Sequence, residues 1–162
     1  MRTRVLIMED NPSLADRMAM FLSEAGYHCR TVGGVGRARR EIGQFGPHLV
    51  IADFQVTDGT AQDLLAGLQA DGAANVPVLL ATAAGAAAHR VAAENGQVRG
   101  VLDKPVALDQ LPALVERFAD LSIRPAGRSR LIGPEERQRL LFASFADEGT
   151  ESAAGVPTGS LA

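Results

Sequence analysis

Short apolar runs alternate along this chain with stretches in which apolar residues recur every three or four positions. The runs lie at 5–8 (Val5, Leu6, Ile7, Met8), 27–32, 48–52, 76–81 and 100–102. Each is too short for a helix and is bounded by Gly, Pro, Asn, Asp or Glu, so they predict five strands. The stretches between them predict helices. The first is capped by Asn11 with Pro12 at its first position, carries Leu14, Met18, Phe21 and Leu22 on one face, and stops at Gly26. The second opens at a Gly33-Gly34-Val35-Gly36 turn, bears Arg37, Arg39 and Arg40 on a solvated face, and ends near Gly46-Pro47. The third covers 61–70, with Leu64, Leu65 and Leu68, and the fourth covers the Ala-rich 83–94. Leu108, Leu111, Leu114, Val115, Phe118 and Leu121 mark the fifth, with Pro112 tolerated in its first turn.

Strands separated by helices of this length predict parallel pairing through crossovers. Five such units suit an α/β fold: a flavodoxin-like (βα)5 doubly wound parallel sheet with strand order 2-1-3-4-5. The second strand, short and polar, is expected at an edge. The pattern ends near residue 121. Residues 122–162 are expected to add a linker (124–130), a short helix begun by Pro134-Glu135-Glu136, and a small-residue tail from Gly149. Leu140, Leu141, Phe142 and Phe145 make that helix amphipathic. The chain thus divides into a domain at 1–121 and an extension at 122–162.

Composition narrows the function. The formal charge of −3 carries no basic footprint for nucleic acid. Residues 1–121 hold 11 basic and 14 acidic side chains, and 122–162 hold five of each, so DNA binding is not expected. No apolar run approaches a membrane span or a signal segment. The single cysteine, Cys29, excludes a disulfide framework and reads as a buried strand residue, which fits a cytoplasmic protein. One bias stands out: of 16 basic residues 15 are arginine, and Lys104 is the only lysine. A compact ammonium can reach a single phosphate oxygen where a planar guanidinium cannot.

Open parallel sheets place their sites outside the carboxyl ends of the strands. There the first run leads into Glu9-Asp10, the third into Asp53, the fourth into Thr82 and the fifth into Asp103-Lys104-Pro105. Three carboxylates this close need a cation. Mg2+, or Mn2+ in its place, accepts one or two carboxylates and a carbonyl and keeps several waters. Asp10 and Asp53 are the expected ligands, with Glu9 acting through water and the Gln55 backbone carbonyl as a further oxygen. Lys104 and the Thr82 hydroxyl are placed to hold phosphoryl oxygens. The glycine cluster at 33–36 matches neither phosphate-cradling pattern and reads as a turn.

In combination the Glu9-Asp10 pair, Asp53 before an Asp58-Gly59 turn, Thr82, and Asp103-Lys104-Pro105 resemble a response-regulator receiver domain of two-component signalling, of the single-domain chemotaxis-regulator kind. The resemblance covers residues 3–121. It implies Mg2+-dependent phosphorylation of Asp53 by a histidine kinase or a histidine phosphotransfer protein, with Thr82 and Lys104 gripping the phosphoryl group. It also implies repacking of the face formed by the fourth helix, fifth strand and fifth helix, so the chain is expected to signal rather than to act as an enzyme. Output is expected through an unknown downstream protein, and the fourth- and fifth-helix face or the C-terminal helix is a candidate surface for a homodimer. Three positions depart from the pattern. Val101 stands where a switching Tyr or Phe is usual, Thr57 where a proline usually closes the turn, and Ala84 at a position that tunes hydrolysis. Two other readings stay open: a degenerate receiver that binds without phosphorylation, and a haloacid-dehalogenase-like phosphohydrolase, whose second acid would have to stand at position 55.

Overall fold

The protein is described here by a computed structural model covering residues 1–83 and 85–125. Its elements are β1 (Arg4–Met8), α1 (Pro12–Glu24), β2 (His28–Val32), α2 (Val35–Phe45), β3 (Leu49–Asp53), β4 (Gln55–Val56), β5 (Gly59–Thr60), α3 (Ala61–Ala70), β6 (Val78–Thr82), α4 (Gly85–Glu94), β7 (Val98–Asp103) and α5 (Leu111–Phe118). Five strands form one parallel sheet in the order β2-β1-β3-β6-β7. Counted along the chain this is the expected 2-1-3-4-5, with β2 at an edge. The expected C-terminal helix and tail lie outside the described residues.

Strand side chains alternate between the two sheet faces, and the core divides accordingly. Val5, Ile7, Leu49, Ile51 and Leu79 face one way and pack with Met18 and Leu22 of α1 and Leu111 and Val115 of α5. Leu6, Met8, Val50, Ala52, Val78 and Leu80 face the other way, against α2, α3 and α4. Both faces are covered, so the central strands β1, β3 and β6 read as continuous aliphatic runs rather than alternating ones.

The structure adjusts several expected boundaries. The fourth sheet strand begins at Val78 rather than 76, because Pro77 has no N–H to give the ladder, and its carbonyl serves Val50 instead. The fifth begins at Val98, two residues earlier than its apolar run suggests. The fourth helix starts at Gly85 rather than 83. The expected fifth helix is broken into a 3₁₀ turn at Leu108–Gln110 and α5, which starts beside Pro112 where a missing N–H costs nothing. It ends at Phe118, so Leu121 is 60% exposed and takes no part in the stripe.

The chain stays on this unit past the expected boundary at 121. Asp120 donates its N–H to the His48 carbonyl, and Ile123 is buried among the α2–α3–α4 side. The Arg4 guanidinium holds the turn, donating to the carbonyls of Gly46 (2.9 Å) and Ile123 (3.3 Å). Gly46 ends α2 in the left-handed region, φ 60°, and a Cβ there would strike the backbone of Arg124 and Pro125. Gly46→Ala therefore combines left-handed strain with a backbone clash. It is expected to cost on the order of 3 kcal/mol, read as a lower urea midpoint at unchanged slope. A loss below about 1 kcal/mol would mean that 124–125 simply moves aside.

Candidate functional site

Strand register explains why distant acids meet. The last pair between β1 and β3 is Met8 with Ala52, so Glu9 and Asp53 leave adjacent strand ends on the same face. Asp53 pairs with Ala81 of β6, and Thr82 pairs with Asp103 of β7, which brings Lys104 to the rim one residue later. The Lys104 N–H donates to the Thr82 carbonyl at 2.8 Å, and the Lys104-Pro105 bond that follows is cis. The Lys104 ammonium then bridges two buried carboxylates. Its Nζ donates to Glu9 Oε2 at 2.9 Å and to Asp53 Oδ2 at 3.0 Å.

Each acid is held differently. Glu9 is 5% exposed, and its other oxygen accepts the Asn11 N–H at 3.1 Å. Burial raises its pKa above the ordinary carboxylate value and the Asp53 charge adds to this, while Lys104 and the Asn11 N–H pull the other way. Asp53 is 8% exposed, and its Oδ1 accepts the Gln55 N–H at 3.4 Å. Asp10 is exposed and accepts the Thr57 hydroxyl at 3.3 Å. Burial works against the Lys104 charge, but its two carboxylate partners outweigh this and raise its pKa.

One oxygen from each of Glu9, Asp10 and Asp53 can be chosen so that all three lie within 4.8 Å of one another. This all-oxygen donor set, with one exposed member and a single ammonium against three acids, fits a hard divalent cation such as Mg2+. The structure therefore brings Glu9, Asp10, Asp53 and Lys104 together. Gln55 lies two residues past Asp53, exposed, in β4. Thr82 ends β6, 4% exposed, on the face that packs with α4. Val101, paired with Leu80 two register positions back on β7, is partly buried against the same face.

The segment after Asp53 holds what sequence reasoning missed. β4 and β5 form a two-residue hairpin, Val56 opposite Gly59, with Thr57 and Asp58 at its tip. The turn lacking proline is thus closed, and its two tip residues reach opposite ways. Thr57 goes to Asp10, while Asp58 accepts the N–H groups of Val35 (2.7 Å) and Gly36 (3.2 Å) at the start of α2. Those bonds, Val35's first, lower the Asp58 pKa. A signal for this did exist: Gly34 is the N-cap of α2 and offers no side chain, so the orphan N–H groups required an acceptor from elsewhere. Nor is Arg39 merely solvated, since it pairs in a two-pronged contact with Asp71 at the end of α3 (2.9 and 2.8 Å).

Known proteins share this fold. The non-phosphorylated HemR receiver domain of Leptospira biflexa is 26% identical, with a TM-score of 0.65, over 76% of this chain and 98% of that one. The chemotaxis protein CheY4 of Vibrio cholerae shares the fold at 20% identity and a TM-score of 0.66, over 73% of this chain and 99% of that one. Among curated relatives, the DNA-binding response regulator MtrA of Mycolicibacterium smegmatis is 30% identical over 83 residues, 51% of this chain and 36% of that one. The transcriptional regulatory protein CrdR of Helicobacter pylori is 28% identical over 120 residues, 73% of this chain and 55% of that one. The chain spans about half the length of such relatives or less. Receiver domains are signalling proteins of two-component systems, with an acceptor aspartate and a Mg2+ site typical of the family. Among the described residues no helix is long and apolar enough to cross a membrane. Residues 5–116, from β1 into α5, match the model of the response regulator receiver domain, and this chain belongs to that family.

Proposed function

We propose that Asp53 accepts a phosphoryl group from a phosphohistidine on a sensor kinase or phosphotransfer protein, and that the change is read by another protein rather than by DNA. The observation that carries this reading is Lys104 Nζ shared between Glu9 and Asp53 beside Asp10. An Asp53 oxygen would form the new O–P bond as the donor's N–P bond breaks and the imidazole leaves. Charge neutralisation by a divalent cation is what lets a carboxylate approach a phosphoryl group. Asp10 and Asp53 would hold that cation directly, with Glu9 through water and the Gln55 carbonyl as a further ligand. Lys104 would exchange its contact with the Asp53 carboxylate for a phosphoryl oxygen, and Thr82 would donate its hydroxyl to another.

Coupling onward is proposed to run through the side of β6 and β7 that faces α4. Lys104 and Thr82 are already joined main chain to main chain, so drawing either inward moves both. Val101 can transmit this only by packing, having neither an aromatic rotamer swing nor a hydroxyl. Output through a partner protein is supported by the composition of 122–162, which carries no basic excess for nucleic acid. We place the cytoplasm as the compartment and treat 122–162 as an extension to the receiver.

Intact-mass measurement tests the reading. Incubation with a small acyl phosphate and Mg2+ is expected to add one phosphoryl group, and chelation of the metal to prevent it. A folded protein that gains no mass, and whose amide NMR spectrum ignores beryllofluoride with Mg2+, would instead be a receiver that works without phosphorylation.

A further inference from the structure

Among the described residues, the three acids at the site differ in how firmly each is held. Glu9 is fixed by Lys104 and the Asn11 N–H, and Asp53 by Lys104 and the Gln55 N–H. Asp10 lies out in solvent, and among the described residues the Thr57 hydroxyl is the hydrogen-bonding partner of its side chain. An exposed aspartate must give up rotamer freedom to bind a cation, and a partner that already holds it reduces that cost.

We infer that Thr57 is a positioning residue for cation binding: its hydroxyl holds the Asp10 carboxylate where it joins Glu9 and Asp53. The inference rests on the cation site proposed above and concerns a residue that site does not itself use as a ligand.

The tip that carries Thr57 is braced. Gln55 pairs with Thr60 and Val56 with Gly59, which closes the hairpin beneath it. On its far side Asp58 is tied to the Val35 and Gly36 N–H groups, anchoring the tip to α2. Gly34 makes room for this tie, because a Cβ there would come within 2.6 Å of Asp58 Oδ1. Threonine is itself stiff at χ1, so a fixed backbone gives a fixed hydroxyl. The sheet end therefore holds Asp53, and a hairpin bolted to α2 holds Asp10. A proline in place of Thr57 would have no hydroxyl, so this hold on Asp10 belongs to the threonine.

The test is Mn2+ binding to the whole unphosphorylated protein, read as free Mn2+ by electron paramagnetic resonance. Thr57→Val removes the hydroxyl at nearly constant shape. It is expected to weaken Mn2+ binding several-fold, roughly up to tenfold, the low end for partners of metal-binding carboxylates because the contact is long and exposed. Thr57→Ser and Thr57→Ala form a second pair that differs in the hydroxyl alone, and the serine variant is expected to bind more tightly than the alanine variant by a similar factor. Equal affinities within both pairs would overturn the inference. Asp10→Asn separates this from the underlying reading. If it binds Mn2+ as the unaltered protein does, the cation site itself is wrong; if it loses binding while both Thr57 pairs are level, only the positioning role falls.

Discussion

Asp53→Asn is expected to abolish phosphoryl uptake completely and, in metal-free buffer, to make the protein more stable. The first effect follows from the nucleophile, since a neutral amide oxygen cannot attack phosphorus as a carboxylate can. The second follows from crowding. Asp53 is buried 8% exposed, beside Glu9 and Asp10, with one Lys104 ammonium shared between two of the three acids. Asparagine keeps the shape and still accepts a hydrogen bond from Lys104. It removes a desolvated charge and two like-charge repulsions, and gives up one ion-pair attraction. Two repulsions and a burial cost against one attraction favour asparagine by about 1 kcal/mol at an effective dielectric near 20. Urea unfolding in the presence of a chelator would read this as a higher midpoint. Adding Mg2+ should narrow or reverse the difference, because the acids are then compensated only in the native sequence. A variant less stable than the parent without metal would show that the Lys104 attraction dominates.

That expectation has a structural corollary. Sites that bind charge are assembled against their own electrostatics, and stability is recovered elsewhere. Here the compensation is the aliphatic sheet: Val5, Leu6, Ile7, Met8, Leu49, Val50, Ile51 and Ala52 are all 0–1% exposed directly behind the acids. β1 and β3 are thus rigid supports for a rim that would otherwise repel itself open. Glu9 is the member under most tension, because burial raises its pKa and only Lys104 and one N–H relieve it. Phosphorylation as proposed would draw Lys104 from Asp53 toward the phosphoryl group and leave its bond to Glu9 in place. Glu9 would in this sense be the fixed anchor from which Lys104 pivots.

Physical scale decides what could be read from the sequence. The sheet was legible because the central strands β1, β3 and β6 are aliphatic runs long enough to show their pattern, and because Asn11, Gly26 and Gly46 punctuate helices through local chemistry. The acids and Lys104 were legible because parallel strands all end on one side, so residues that follow apolar runs must converge. The β4–β5 hairpin was not, since two residues per strand carry no periodicity. The Asp58 contact with α2 spans 22–23 positions and depends on where a loop crosses a helix start. Ile123 sits among Arg, Pro and Gly residues that look like a linker. It is buried because Asp120 bonds to His48 and Arg4 reaches across, which are tertiary facts without a local signature. The fifth helix misled for a related reason: Leu121 continues the spacing of the stripe, but α5 has already ended at Phe118 and Asp120 is bonded to His48.

Acidification from pH 7 to 4 is expected to remove about 3 kcal/mol of stability through one residue, His48, at the end of the sheet away from the acids. It is 1% exposed, and its Nδ1 accepts the Arg4 N–H at 2.8 Å, so the neutral ring carries its proton on Nε2. That Nε2 is buried with no partner among the described residues. Burial first, then the nearby Arg4 and Arg124 charges, lower its pKa to about 4 against the opposing pull of Asp120. The unfolded chain, near 6.5, takes up a proton throughout the interval between the two values while the folded chain does not. Stability from this group is therefore complete above pH 6.5 and lost progressively down to about 4. Glu9 acts in the opposite sense, because its raised pKa means the folded state gains a proton before the unfolded one as pH falls. Asp58, Asp71 and Asp120, all lowered, lose their contribution only at more acidic pH. His48→Asn separates these contributions, since its Oδ1 can accept the Arg4 N–H where Nδ1 did and the amide does not titrate. The variant should start lower at pH 7 for want of the ring, yet show a much flatter profile from 6.5 to 4 in urea unfolding at stepped pH. A slope equal to that of the parent would assign the acid sensitivity to the carboxylates and exonerate the buried imidazole.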